Sequence, residues 1–330
     1  MLEKIEGVEI LGVGKYVPDK VLTNYELEKK IETSDEWIVS RTGIKERRIA
    51  EINETTFTMA YKATKRALDN ARVKPEEIGL IIVATATPDM VFPATAAMLQ
   101  NELKAYNSGA FDLSIGCTGF IYALVTGFLY AKVLYPLKVL VVGAEKLSSI
   151  VDWEDRNTAV LFGDGAGAVI LGVNSAKEGI IAFELGADGS GKDYLYLPAG
   201  GSMLPASHET VEKRLHFIKM NGKEVFKFAV KKIEESVLRI LKSSNYKPSD
   251  IDLYLFHQAN QRIITASLER LGLDLNKTFI NLSKYGNTSA ASIPIALEEA
   301  ILAGKLKKGD KLLLAGFGAG LAWGSLILEY

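Results

Sequence analysis

The segment DLSIGCTGF, residues Asp112–Phe120, contains the only cysteine of the chain, Cys117. The apolar residues before it predict a strand, and apolar residues recur at helical spacing from Phe120 onward. Gly116 and Gly119 flank the turn between these elements, where the backbone can approach another group closely. The segment therefore predicts a strand, a tight turn and a helix, with Cys117 at the helix N-terminus.

Two interpretations of Cys117 follow from this position. A lone cysteine is most often a small, buried, apolar side chain. At a helix N-terminus, however, the free amide groups and the helix dipole favour an anion, and so favour a thiolate over a thiol. A nucleophilic cysteine also needs partner groups, which the rest of the chain must supply.

The composition is that of an ordinary globular protein, with 330 residues, 48% apolar and 24% charged, and a net charge of −1. This length allows two packed halves. The near-zero net charge argues against nucleic-acid binding, and a single cysteine excludes an internal disulfide and suits a reducing cytosol. The acidic N-terminus does not resemble a signal peptide, so we expect a cytoplasmic protein.

Neither membrane insertion nor metal binding is expected. The most apolar segment, residues 120–142, is interrupted by Lys132, Pro136 and Lys138, which divide it into a helix and a strand. No set of Cys, His and carboxylate residues has the spacing of metal ligands. His208 and His216 lie in a polar, irregular stretch and are given no role.

The second half of the chain repeats the element order of the first half. The matched pairs are the helices 58–71 and 226–241, the segments KPEEI and KPSDI at residues 74–78 and 247–251, the buried strands 80–84 and 253–256, and the buried strands 139–143 and 311–316. A duplicated unit of alternating helices and strands predicts an α/β protein with mostly parallel sheets covered by helices. We place the boundary near residue 175, which gives halves of residues 1–175 and 176–330.

Two further elements are predicted from local patterns. A helical pattern runs from Asn24 to Ser40 and begins at a Thr23–Asn24 cap. Residues Asn157–Leu171 have the pattern of a β-hairpin with a glycine-rich turn. This turn lacks the Lys–Ser/Thr pair of a phosphate-binding loop.

The candidate site lies where the two halves differ. The strand that ends at Ala84 in the first half is followed by His257 in the second half, and Asn287 falls close to the counterpart of Cys117. Ligands of parallel sheets gather beyond the carboxyl ends of the strands. Taken singly, His257 is a polar strand-end residue and Asn287 a helix cap. Together, and related by a pseudo-twofold axis, Cys117, His257 and Asn287 predict one site.

Five motifs resemble those of the β-ketoacyl-[acyl carrier protein] synthase III family, the initiating condensing enzymes of type II fatty acid synthesis. They are SDEWI with RTGI within residues 34–44, GCTGF at 116–120, HQAN with Arg262 at 257–262, GNTSAAS at 286–292 and GFGAG at 316–320. They span nearly the whole chain in the family's order. The resemblance implies the thiolase fold, with two α-β-α-β-α halves related by pseudo-twofold symmetry, assembled as a homodimer.

The resemblance also implies a two-step reaction without a metal or redox cofactor. Cys117, as a thiolate, attacks an acyl-CoA thioester, and acetyl-CoA is the expected primer. Malonyl-acyl carrier protein is then decarboxylated, and its carbanion attacks the acyl-enzyme to give a 3-oxoacyl-acyl carrier protein. His257 and Asn287 hold the enolate oxygen. Backbone N–H groups of Cys117 and Ala319 form the second oxyanion hole, although Ala319 departs from the family's glycine run.

Further residues match binding positions of the family. For CoA and the substrate they are Trp37 and Arg156, which sandwich the adenine, Thr33 and Arg41 at the nucleotide end, Gly222 and Asn260 along the pantetheine tunnel, Phe317 beside the reacting centre, and Phe92, which caps the partner subunit's acyl pocket. For docking of the acidic carrier protein they are Lys227, Arg262 and Arg270, with Glu269 standing where the family often has lysine.

Three alternatives differ in the chemistry they require. A degradative thiolase needs a second cysteine as base, which this chain lacks. A catalytically silent acyl-CoA binder does not need Cys117, His257 and Asn287 together. A condensing enzyme of secondary metabolism, with another primer or acceptor, fits the same motifs, and acetyl, branched and longer primers all remain open.

Overall fold

The computed structural model describes residues 5–173 and 179–330. The strands of this part of the chain are β1 (Ile5–Glu6), β2 (Val8–Tyr16), β3 (Val21–Thr23), β4 (Glu46–Arg48), β5 (Ile78–Ala84), β6 (Gly109–Leu113), β7 (Lys138–Glu145), β8 (Gly165–Val173), β9 (Gly179–Ala187), β10 (Leu195–Tyr196), β11 (Lys219–Met220), β12 (Leu253–Phe256), β13 (Lys311–Gly318) and β14 (Ala322–Glu329). The helices are α1 (Asn24–Glu28), α2 (Asp35–Thr42), α3 (Thr56–Ala71), α4 (Thr95–Leu103), α5 (Gly119–Leu134), α6 (Arg156–Ala159), α7 (His208–Glu212), α8 (Gly222–Ser244), α9 (Gln261–Leu271), α10 (Leu282–Tyr285) and α11 (Ser292–Leu302).

Two five-stranded sheets form the framework, with strand orders β2-β8-β7-β5-β6 and β1-β9-β14-β13-β12. β5 runs parallel to β6 and β7, and β12 runs parallel to β13, while the remaining neighbours are antiparallel. The prediction of mostly parallel sheets is therefore wrong. Each half ends with strands that return antiparallel, β8 beside β7 and β14 beside β13.

The element order shows the duplication. In the first half it is β2-α3-β5-α4-β6-α5-β7-β8, and in the second it is β9-α8-β12-α9, then α11-β13-β14. The counterpart of β6 is reduced to a single parallel bridge between Tyr254 and Thr278. The predicted boundary at residues 175 and 176 lies outside the described residues and stays a prediction.

The core of the protein lies between the two sheets, where the helices α5 and α11 are packed. α5 contributes Phe120 and Phe128, and α11 contributes Leu297, to one cluster that also contains buried residues of both sheets. The segment Gly116–Leu134 is apolar on all sides and long enough to cross a membrane. Its N-terminal part, up to Phe128, lies mostly buried between the two sheets, which favours apolar residues on all of its faces, whereas Leu129, Tyr130 and Val133 near its C-terminus are exposed. α3 and α4 cover the outer face of the first sheet, and α8 and α9 that of the second.

Two local predictions need correction. Residues 24–40 form two helices rather than one, because Ser34 caps α2 by accepting the N–H of Trp37 at 3.1 Å. Residues 157–171 form no hairpin: α6 ends at Ala159, and β8 pairs with β7 and β2. The loop before β8 is held by the Asp164 carboxylate, which accepts the backbone N–H of Ala50 at 2.7 Å.

Candidate active site

Cys117 lies in the turn between β6 and α5, as its sequence context predicted. The turn Gly116–Thr118 is a short 3-10 helix that leads into α5. Gly116 has a φ of +57°, a conformation that favours glycine. The end of β13 lies against the turn, since a Cβ added to Gly318 would lie 2.6 Å from the Cys117 N atom. Glycine at position 318 therefore allows the two backbones to approach.

The two backbone groups predicted as an oxyanion hole lie on either side of this contact. Ala319 follows Gly318, and its N atom would lie 3.1 Å from a Cβ added to Gly116. Cys117 and Ala319 also line the same cavity. The N–H groups of both residues therefore belong to adjoining backbone segments beside the thiol.

The protonation state of Cys117 differs from the sequence-based expectation. Burial raises the pKa of the Cys117 thiol to about 11, and the charge of Glu145 contributes to this rise. The helix N-terminus favours a thiolate, but the loss of hydration in this buried pocket outweighs it. Cys117 is therefore a thiol at neutral pH and needs a proton acceptor before it can act as a nucleophile.

His257 follows directly after β12 and is 2% exposed. Its Nδ1 lies 2.6 Å from the Ser292 hydroxyl, and its ring meets that of Phe317 edge-on, with 5.5 Å between the ring centroids. Its Nε2 has no hydrogen-bond partner within the described chain. Burial lowers the pKa of His257 to about 3, so the imidazole is neutral at neutral pH.

The hydrogen bonds of Ser292 favour one tautomer of this neutral ring. The Ser292 hydroxyl oxygen accepts the backbone N–H of Gln258 at 3.4 Å, and its own proton can then point to Nδ1 of His257. In this arrangement Nδ1 accepts a hydrogen bond and the ring proton resides on Nε2. The buried, unpartnered Nε2–H is then a donor for a ligand.

Asn287 lies in the loop between α10 and α11 and is 6% exposed. Its backbone donates to Leu161 O at 2.8 Å and accepts from Gly163 N at 3.0 Å. Its side-chain Oδ1 accepts the backbone N–H of Ser289 at 2.8 Å. This hydrogen bond orients the carboxamide, so Nδ2 is the side-chain atom that can donate to a ligand. The turn that corresponds to Gly116–Thr118 is Ser289–Ala291. Asn287 thus lies just before the pseudo-symmetric counterpart of Cys117.

Three neighbouring cavities meet this site. The inner cavity, of about 100 Å³, is lined by Cys117, His257, Asn287, Phe317, Gly222 and Asn260, among others. The outer cavity, of about 510 Å³, shares Gly222 and Asn260 with the inner one and extends to Trp37 and Arg41. The apolar cavity, of about 120 Å³, is lined by Cys117, Leu147, Ile150, Phe162, Leu195, Leu197 and Ile218, with other residues. Cys117 therefore lies between the apolar cavity and the path formed by the inner and outer cavities.

The residues predicted at the nucleotide end lie at the outer cavity or near it. The Arg156 guanidinium lies over the Trp37 ring at 4.8 Å from its centroid. A base sandwiched between them needs about 7 Å between the two planes, so Arg156 must move for a base to enter. Arg41 lines the outer cavity, and its carbonyl accepts from Asn260 Nδ2 at 3.1 Å. The Thr33 hydroxyl is buried and has no partner within the described chain.

Phe92 is not brought to the site. Its side chain is 83% exposed, next to the exposed Met90 and Val91. The prediction for Phe92 places it in the pocket of a partner subunit, and exposure in a single chain is compatible with that placement.

The three predicted docking cations differ in their surroundings. Lys227 pairs with Glu224 at 2.8 Å, and Arg270 pairs with Glu234 at 3.0 Å. Arg262 lies over the Phe226 ring, 5.7 Å from its centroid, and no carboxylate of the described residues lies within 4.0 Å of its guanidinium. It lines an open groove between α2 and α9 together with Lys45 and Glu269. Arg262 is therefore the most available of the three cations.

Three polar residues near the reacting centre and the apolar cavity were not predicted from the sequence. Ser289 and Ser292 lie in the GNTSAAS motif, where only Asn287 was given a role. Glu145 ends a buried strand, and an acid at a strand's carboxyl end was a signal that could have been used. The apolar cavity combines residues distant in sequence, and no local pattern predicts such a set.

Within residues 5–173 and 179–330, no group of three or more His, Cys, Asp or Glu side chains is arranged to hold a metal ion.

Comparisons with known proteins agree with this architecture. Residues 111–189 match the family described as 3-oxoacyl-[acyl-carrier-protein (ACP)] synthase III, and residues 241–330 match its C-terminal part. A curated relative from Caldanaerobacter subterraneus subsp. tengcongensis, a beta-ketoacyl-[acyl-carrier-protein] synthase III, is 55% identical over 100% of this chain and 99% of its own length.

Two solved structures are also similar over their whole length. The 3-oxoacyl-[acyl-carrier-protein] synthase III of Aquifex aeolicus has a TM-score of 0.91 and 49% identity, covering 98% of this chain and 100% of its own. The priming β-ketosynthase of the R1128 polyketide pathway has a TM-score of 0.91 and 35% identity, covering 100% of this chain and 97% of its own.

Two related halves with two helices between their sheets define a protein of the thiolase fold. The chain belongs to the 3-oxoacyl-[acyl-carrier-protein] synthase III family, and it is a condensing enzyme of the acyltransferase class.

Proposed function

We propose that this enzyme condenses an acyl-CoA primer with malonyl-acyl carrier protein to initiate fatty acid synthesis. The products are a 3-oxoacyl-acyl carrier protein, CO2 and CoA, and the intermediate is an acyl-cysteine at Cys117. One observation carries the proposal: Cys117 lines both the apolar cavity and the inner cavity, and His257 and Asn287 also line the inner cavity. A purified-enzyme assay that follows CoA release and the mass of the carrier protein tests it.

In the first half-reaction, the outer and inner cavities admit the CoA thioester and the apolar cavity receives its acyl chain. Cys117 Sγ attacks the carbonyl carbon, and the backbone N–H groups of Cys117 and Ala319 hold the oxygen. The C–S bond to CoA then breaks, leaving the acyl group on Cys117. Arg156, once turned from Trp37, is the group proposed to cover the adenine, with Thr33 and Arg41 at the nucleotide end.

In the second half-reaction, Nε2–H of His257 and Nδ2–H of Asn287 hold the thioester oxygen of the malonyl group as its carboxylate leaves as CO2. The enolate carbon attacks the acyl carbonyl carbon, the C–S bond to Cys117 breaks, and the thiolate takes up a proton from solvent to restore the thiol. A neutral imidazole suits this role, since it donates one hydrogen bond without a buried charge. Loss of CO2 drives the step, so the reaction as written uses no metal or redox cofactor.

The small volume of the apolar cavity, about 120 Å³, supports a primer with a short acyl chain. Acetyl-CoA is the proposed primer. Ile218 is 7% exposed at the wall of this cavity. Replacing it with alanine is expected to shift the preference toward longer primers, by about fourfold in kcat/KM for each methylene group newly buried. The measurement is the kcat/KM ratio of butyryl-CoA to acetyl-CoA.

The matched control for this shift is Ile251→Ala. Ile251 is fully buried in the core of the second half and lines none of the three cavities. We expect it to lower the melting temperature and leave the ratio unchanged. An unchanged ratio in Ile218→Ala would show that the apolar cavity does not hold the acyl chain.

Arg262 is the proposed principal contact with the acidic carrier protein, with Lys227 and Arg270 supporting it. Arg262→Glu is expected to raise the KM for malonyl-acyl carrier protein at least tenfold, because a like charge replaces an attraction. Transfer from acyl-CoA to Cys117 should stay nearly unchanged. Lys305→Glu, in the loop just after the C-terminal end of α11, makes the same charge change and should leave this KM unaltered. Equal effects of the two variants would point to net charge rather than docking.

We also propose a homodimer in the cytoplasm. β6 is an edge strand that pairs only with β5 within the described sheet, and the neighbouring loop exposes Met90, Val91 and Phe92. An unpaired edge and an apolar loop are features that a second copy of the chain can cover. Phe92 would then reach the partner's acyl pocket.

A further inference from the structure

Two walls of the apolar cavity come from segments that are distant in sequence. The loop between β7 and α6 contributes Leu147 and Ile150, and the segment 195–218 contributes Leu195, Tyr196, Leu197 and Ile218. The second wall is partly open to solvent, since Tyr196 is 41% and Leu197 43% exposed. Its position therefore depends more on contacts with neighbouring loops than on burial from outside.

Asp152 connects the two walls. It lies two residues after Ile150 and is 5% exposed. Its carboxylate accepts hydrogen bonds from Nη2 of Arg214 and, at 3.4 Å, from Nε of Arg214, and Nζ of Lys219 lies 3.6 Å from its Oδ2. The backbone N–H of Ile218, between these two cations in sequence, donates to Ile150 O at 2.9 Å. An ion cluster and a backbone hydrogen bond thus join the wall at residue 150 to the wall at residue 218.

The cluster of Asp152, Arg214 and Lys219 is charged at neutral pH. The hydrogen bond from the Arg214 guanidinium keeps the pKa of Asp152 below its usual value. A carboxylate that is almost fully buried interacts with its cations more strongly than an exposed one does, because less water screens the charges. Separating the two walls therefore has an appreciable cost in free energy.

Arg214 has a backbone conformation that is usually occupied by glycine. Its φ is +55°, and it follows the end of α7, where its N–H donates to Val211 O and the N–H of Leu215 donates to Thr210 O, both at 3.0 Å. Glycine is the common residue at such a helix end, because it adopts a positive φ without steric cost. An arginine here accepts a less favourable backbone conformation, and its side chain contacts Asp152.

We propose that the ion cluster of Asp152, Arg214 and Lys219 limits the length of the acyl chain that the enzyme accepts. This inference rests on the proposed function, in which the apolar cavity receives the acyl chain. The cluster holds the two walls around a cavity of about 120 Å³. A long acyl chain enters only when the walls separate, so its transfer includes the cost of breaking the cluster. An acetyl group enters without this cost.

The three residues are positioning residues, because none of them lines the apolar, inner or outer cavity. They act through Ile150 and Ile218, which do line the apolar cavity. Their effect should therefore appear in the choice between primers.

The test is the ratio of kcat/KM for octanoyl-CoA to that for acetyl-CoA, measured for wild type, Arg214→Gly, Asp152→Asn and the double variant. Glycine suits a φ of +55°, so Arg214→Gly removes the cation without added backbone strain. Each single variant should raise the ratio about tenfold, as the loss of a charged hydrogen bond predicts. The double variant should give nearly the same ratio as each single variant, because either substitution breaks the same cluster.

Arg72→Gly is the matched control. Arg72 also follows a helix, α3, with a φ of +53°, and it lines none of the three cavities. This variant makes the same substitution in the same backbone conformation, so it should keep the wild-type ratio. Should Asp152→Asn fail to fold, Arg214→Gly and its control carry the test.

A wild-type ratio in the folded Arg214→Gly variant would overturn the proposed role of the cluster. An equal increase in Arg72→Gly would also overturn it, because a general effect of the substitution would then explain the change. A wild-type protein that forms no acyl-enzyme with any primer would instead contradict the proposed function, so the two failures can be told apart.

Discussion

Replacing Cys117 with alanine is expected to abolish acyl transfer from acyl-CoA and the formation of 3-oxoacyl product. The thiol is the one sulfur nucleophile of the chain, and it lies between the inner and apolar cavities. No other group at this junction can replace the covalent step. CoA release in the presence of an acyl-CoA primer should fall to the uncatalysed background.

The same variant should keep the ability to decarboxylate malonyl-acyl carrier protein. His257 and Asn287 are held by Ser292 and Ser289 rather than by the thiol, so their donors remain in place. Released CO2 and the mass of acetyl-acyl carrier protein measure this activity. Acyl transfer at the wild-type rate in Cys117→Ala would show that another residue is the nucleophile.

Replacing His257 with alanine should have the opposite outcome, in which the enzyme is acylated but does not condense. One oxyanion-hole donor contributes about 3 kcal/mol to a barrier of this kind, so condensation should slow by about a hundredfold to a thousandfold. Acylation should be affected much less, because in the proposed mechanism the backbone groups of Cys117 and Ala319 hold the oxygen of the primer.

This prediction is checked by measuring both half-reactions on one preparation of His257→Ala, with Ile251→Ala as a control for a general loss of core packing. Burst release of CoA reports acylation, and CO2 release reports decarboxylation. Equal losses in both half-reactions would assign His257 to acylation as well. An unchanged condensation rate would remove it from the mechanism.

Much of the framework is predictable because it depends on local patterns. The runs of apolar residues at β5, β7 and β13 have no alternation, as strands covered on both faces require, and repeated segments such as KPEEI and KPSDI reveal the duplication. The prediction of a hairpin at residues 157–171 was wrong because the pairing of this segment is not local. β8 pairs with β2, 150 or more residues away in sequence, and no local pattern specifies that partner.

The candidate site was predictable only in part. Comparison of the two halves pointed to Cys117, His257 and Asn287, which line one cavity. The thiol's pKa was not predictable, because it depends on how completely the folded chain removes water from Cys117. The same holds for Ser292, whose significance lies in its contact with His257 on another element.

The most direct test of the central claim is the intact mass of the purified enzyme after brief exposure to acetyl-, isobutyryl- and octanoyl-CoA in separate reactions. We expect a mass gain of one acyl group with acetyl-CoA, and no gain in Cys117→Ala under the same conditions. No adduct with any primer, or an adduct that persists in Cys117→Ala, would contradict an acyl-enzyme formed at Cys117.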